Sequence, residues 1–178
     1  MPPYLSWPVA LILFLASVTV SAQESLRYQA PPDWIQIETA SPQQLDHYGL
    51  PRTPGDPEDA ELFVYYFADD AVTVEATLES WTNQMLQPDR RPPSEMTSTT
   101  SFDVANLSVT ELDVPGIYSV EVQPNSGMHY YKRDFWLKAA VVETPEGPYF
   151  FKLTGPSQTV ADSEVEFNAL LANLSFQQ

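Results

Sequence analysis

Val74, Leu78, Trp81 and Met85 recur at intervals of four, three and four, the spacing that gathers apolar side chains on one face of a helix. The pattern predicts a helix over residues 71–86, capped by Asp69 or Asp70 and ended by Pro88. A second stripe, made by Val160, Phe167, Leu170, Leu171 and Leu174, predicts another amphipathic helix. Gly155-Pro156 suits its start, since proline fits the first helical turn.

The rest of the chain reads as strands. Trp34-Ile35-Gln36-Ile37 alternates briefly, and residues 43–50 suit an edge strand. Glu61-Leu62-Phe63-Val64-Tyr65-Tyr66-Phe67 is aromatic and β-branched almost throughout, a composition that suits burial on both faces. Shorter runs follow at 101–104, 107–112 and 116–122, the last two turning at Val114-Pro115-Gly116. Residues 135–143 and 149–153 form a hairpin across Thr144-Pro145-Glu146-Gly147-Pro148. By composition, 51–59 and 88–100 are loops, the second long for a structureless segment in a compact domain. Strands joined mainly by hairpins imply a largely antiparallel sheet, and two striped helices must each cover it. The expected class is α+β, a mostly antiparallel β-sheet flanked by two main helices in an α/β/α sandwich.

The amino terminus changes the picture of where this sheet is used. Residues 9–20 are apolar and lead into Ser21-Ala22-Gln23, the form of a cleavable signal peptide and too short for a spanning helix of about 20 residues. The expected organisation is a signal peptide over 1–22, a linker over 23–33 and a single globular domain over 34–178. Export to the periplasm or the extracellular space follows, with no stable membrane insertion once the signal is cleaved. The stretch before the apolar run carries no Lys or Arg, an atypical feature of a signal.

Charge narrows the partners. With 24 acidic and 8 basic side chains the net charge is −16, all of it beyond residue 22. Such a balance repels nucleic acid and anionic membrane, whose binding needs Lys and Arg to neutralise phosphate. The absence of cysteine removes disulfides, thiolate metal sites, iron–sulfur clusters, cysteine nucleophiles and a bacterial lipid anchor. A disulfide-free exported domain must be held by its core, and 43% hydrophobic residues supply one.

Three segments carry a family likeness: residues 61–67, the Trp81 helix, and above all Val141-Val142-Glu143-Thr144-Pro145-Glu146-Gly147-Pro148-Tyr149-Phe150-Phe151-Lys152-Leu153-Thr154-Gly155-Pro156. They resemble an uncharacterised group of bacterial exported proteins related to the PsbP-like (Mog-type) α/β/α sandwich. The resemblance spans about residues 34–174 and implies mainly a fold. Proteins of that sandwich are typically non-catalytic; one branch is an extrinsic photosystem II subunit and another binds a small GTPase. Neither role carries over to this chain, and no binding residue does. The polar Gln43-Gln44-Leu45-Asp46-His47-Tyr48 and the Arg90-Arg91 loop depart from the pattern.

Candidate chemistry is sparse. Asp56, Glu58, Asp59 and Glu61 invite calcium, yet lack the spacing of a known calcium loop. His47 and His129 sit in no metal-binding spacing. Gly155-Pro156-Ser157 lacks the second glycine of a nucleophile elbow, and helix-start capping explains Ser157. No catalytic residue, metal site or cofactor is therefore assigned. The one segment with interface character is Met128-His129-Tyr130-Tyr131-Lys132-Arg133-Asp134-Phe135-Trp136, aromatic and locally basic in an acidic chain. Tyr130, Tyr131, Lys132, Arg133 and Trp136 are its candidate binding residues. The competing expectation sends alternate aromatics into the core and pairs Lys132 and Arg133 with Asp134. The leading expectation is a monomeric, non-enzymatic accessory protein that touches an envelope protein. A small-ligand or calcium-binding protein is the alternative, and a hydrolase a weaker third.

Overall fold

The computed structural model describes residues 25–67, 73–123 and 126–177. The expected signal peptide lies outside the described residues, as do Asp69 and Asp70. Ten strands and three α-helices are described: β1 (Ser25–Arg27), β2 (Ile35–Ile37), β3 (Gln44–Leu50), β4 (Ala60–Tyr66), α1 (Val74–Thr82), β5 (Met85–Leu86), β6 (Ser98–Val104), β7 (Leu107–Glu121), β8 (His129–Thr144), β9 (Gly147–Pro156), α2 (Ser157–Asp162), α3 (Glu164–Ala172) and β10 (Ser175–Gln177). Every pairing is antiparallel. The main sheet runs β2-β3-β4-β9-β8-β7-β5, with β6 also on β7, and β1 pairs β10 in a small second sheet. This is the expected α+β class, with helices on both faces of a mostly antiparallel sheet.

Period-two alternation along the central strands feeds two cores. From β8, Ala140 and Val142 join Leu62, Phe151 and Phe167 beneath α2 and α3. The intervening Leu137, Ala139 and Val141 face Trp81 and Met85 on the α1 side. Because β9 and the inner half of β8 are buried on both faces, and the second face of β4 is half-buried, these stretches read as near-continuous apolar runs rather than alternating ones.

Several elements differ from the sequence expectation. The helix over 71–86 stops at Thr82, and Met85 pairs with Tyr118 as part of β5. Its cap is Thr73, whose side chain accepts the Ala76 amide at 3.2 Å. The second helix is broken at Ser163, whose hydroxyl bonds back to the Thr159 carbonyl at 2.9 Å. No turn interrupts β7 at Pro115, and β6 begins within the loop expected over 88–100. Within the expected linker, Ser25–Arg27 forms β1 against β10 and buries Leu26 in the core.

Candidate functional site

β7 and β8 pair over more residues than their neighbours support. On β8, pairing with β9 ends at Phe135↔Pro156, whereas pairing with β7 continues through Lys132↔Tyr118 to His129↔Glu121. The outer part is thus a two-stranded extension, flanked only by β5 at Ile117 and Tyr118. A register shift marks where it begins: Arg133 and Asp134 together oppose Ile117, and Asp134 takes φ 56°. Such a bulge bends the ladder and re-aims its side chains.

Beyond the bulge, Tyr130 and Tyr131 point to opposite faces and are each 61% exposed, with Met128 at 60%. His129 stacks on Tyr131 with centroids 6.2 Å apart, and its Nδ1 lies 2.9 Å from the Ser119 hydroxyl.

The other candidate residues separate from the tyrosines. Lys132 reaches Glu58, 2.5 Å away, rather than Asp134, and its ammonium sits 5.4 Å from the Phe135 ring centroid. Arg133 is exposed and makes no ion pair among the described residues. Trp136 turns towards the α3 side, packs on the core, and lies under the Lys138 ammonium at 4.8 Å. Only Tyr130, Tyr131 and Arg133 of the five therefore present accessible, uncommitted groups.

The acidic loop is dispersed among separate tasks. Asp56 accepts from the Thr159 amide at 2.9 Å, Asp59 from the Arg52 amide at 3.0 Å, and Glu61 lies 3.0 Å from His47. His47 also stacks on Phe63 at 4.3 Å. Among the described residues no group of three or more His, Asp or Glu side chains is placed to hold a metal. Ser157 is the first residue of α2 and makes no capping bond; Asp56 supplies the acceptor there.

Two buried lysines escaped the sequence reading. Lys152 on β9 is 7% exposed, and burial pushes its amine down to about 8. Its hydrogen-bond partners are uncharged: Gln84 Oε1 at 2.7 Å and the Tyr118 hydroxyl at 3.4 Å. The Trp81 centroid is 5.2 Å away. Lys138 on β8 meets Asp113 at 2.7 Å and Glu164 at 2.8 Å. Burial alone would lower its value, but those two carboxylates hold it above the ordinary lysine range. Glu111 beside them is raised by burial and by its acidic neighbours. A lysine inside an apolar strand run, as in Phe150-Phe151-Lys152-Leu153, was the available signal.

No protein-family model matches the chain, and no curated protein does. Solved structures do. A Pseudomonas aeruginosa protein of unknown function, PA94, superposes with a TM-score of 0.53 at 13% identity, covering 82% of this chain and 98% of its own. These two share a fold. LpqN, involved in cell envelope biogenesis of Mycobacterium tuberculosis, gives 0.49 at 10% identity over 87% of this chain and 84% of its own. The PsbP of Synechocystis, CyanoP, gives 0.47 at 11% identity over 92% and 99%. No helix among the described residues is long and apolar enough to cross a membrane.

Proposed function

We propose that this chain is a non-enzymatic accessory protein of the cell envelope that binds a protein partner through the outer β7–β8 extension. The observation that carries this reading is the pair Tyr130 and Tyr131, each 61% exposed on a ladder that outruns the sheet. Tyrosine supplies a large contact area at small entropic cost, and exposed aromatics beside an uncommitted arginine have the composition of interface anchors. Export is supported by the apolar segment over 9–20 and by a cysteine-free domain of net charge −16. The PsbP-like kinship is supported by the segments quoted from 61–67 and 141–156.

Site-specific photocrosslinking in intact cells tests the reading. A photoreactive phenylalanine analogue at Tyr130 or Tyr131 is expected to trap one dominant protein species. The same group at Thr99, on the remote strand β6, is expected to trap none. Equal trapping at all three positions, or none at the tyrosines, overturns the proposal.

A further inference from the structure

The bulge that starts the β7–β8 extension also shapes a cavity. It measures about 490 Å³ and lies where β8, the end of β5 and the start of α2 meet, within the usual size of a small-molecule site. Apolar walls come from Pro88, Met96, Ile117 and Phe135. Arg133 and Asp134 line the same cavity, since the bulge sets these adjacent residues against the single Ile117. Among the described residues neither makes an ion pair.

Two further features mark this place as specified. Asp134 occupies φ 56°, a left-handed conformation open to few residues besides Gly, Asn and Asp. Across the ladder, a Cβ on Gly116 would lie 2.7 Å from the Leu86 carbonyl oxygen. The close approach of β5 that forms one wall therefore depends on glycine.

The geometry points to a binding site for an apolar α-amino acid, whose carboxylate meets Arg133, whose ammonium meets Asp134, and whose side chain enters the apolar cavity. A simple anion would face Asp134. A simple cation would face Arg133. A zwitterion satisfies both groups and adds no net charge. Acids elsewhere on the surface are screened beyond about 8 Å at physiological salt, so the adjacent pair decides the sign. This site shares Arg133 with the proposed docking surface but does not involve Tyr130 or Tyr131, so titration without a partner tests it separately.

Isothermal titration of the chain with L-phenylalanine tests it, with N-acetyl-L-phenylalanine and phenethylamine as probes lacking one charge each. One-to-one binding of L-phenylalanine is expected, with both analogues weaker by about tenfold or more. Arg133→Gln and Asp134→Asn should each weaken binding similarly; Asn tolerates the backbone at Asp134, which keeps that variant folded. Met96→Trp, which fills the cavity and leaves both charges, should abolish binding. No heat at millimolar L-phenylalanine, equal binding of either analogue, or variants as tight as the parent would each overturn the assignment.

Discussion

Asp56 Oδ2 accepts two hydrogen bonds from Thr159, one from its amide at 2.9 Å and one from its hydroxyl at 2.5 Å. The same hydroxyl oxygen accepts the Thr53 amide at 3.1 Å, and the Thr53 hydroxyl donates to Asp162 at 2.6 Å. An acidic loop is thereby fastened to the first turn of α2, whose amides have no partner within the helix. Asp56→Ala should cost about 1–2 kcal/mol of stability, as loss of a helix cap does. Asp56→Asn should retain part of it. Urea unfolding at neutral pH measures both, and an unchanged midpoint for the alanine variant would remove the capping role.

Lys152 carries an opposite expectation. Its folded value of about 8 lies below the ordinary lysine value near 10.4. Between those values the unfolded chain holds more protons, so stability rises with pH. Below pH 8 the cost of the buried charge is fully present, at most roughly 3 kcal/mol. Stability should therefore climb from pH 8 to about 9.5, before tyrosines ionise in the unfolded chain. Glu61 and the hydroxyls of Tyr65 and Tyr118 surround the same region of the α1 face. Lys152→Met should raise stability at pH 7 and flatten the climb. A variant that keeps the full slope would show that another group titrates.

Lys138 should respond the other way to the same substitution. Lys138→Met leaves Asp113 and Glu164 without their shared cation, beside a Glu111 already raised by burial. The two carboxylates left behind are 28% and 42% exposed, so solvent screens part of the penalty and the loss should be about 1–3 kcal/mol. Urea unfolding of the two methionine variants side by side checks the contrast. Destabilisation of both, or of neither, would mean that the surrounding carboxylates do not set the sign.

The elements legible in the sequence were those whose burial is uniform. β4, β9 and the inner half of β8 announce themselves because both faces are largely covered, so apolar and aromatic residues predominate there. Pro115 misled because proline next to glycine ordinarily turns the chain. Here it falls between the end of β6 pairing at Asp113 and the start of β5 pairing at Ile117. Its carbonyl faces outward to Gln87 Nε2 at 2.8 Å, so its missing N–H lies on the same unpaired side. Met85 misled because a four-residue step from Trp81 fits a helix, yet a tight turn followed by a strand reaches the same core. At the candidate site, composition identified the aromatic–basic segment but could not divide it. Lys132 turns to Glu58, 74 residues away in sequence, and Trp136 packs on a core assembled from distant strands and helices. Arg133 and Asp134 share a cavity only because of a bulge that no periodicity announces.

Ser25 pairs directly with Gln177, so the two ends of the described chain are neighbours in one ladder. Paired residues of antiparallel strands stand about 5 Å apart, a gap that a tight turn closes. Joining these ends and reopening the chain at Ala105-Asn106, the two-residue turn between β6 and β7, would preserve every strand pairing and convert only one hairpin into termini. The order in which the strands leave the ribosome is therefore separable from the sheet they build. A circular permutant would carry its new ends at the β6–β7 turn, which lines one cavity with Phe176 of β10.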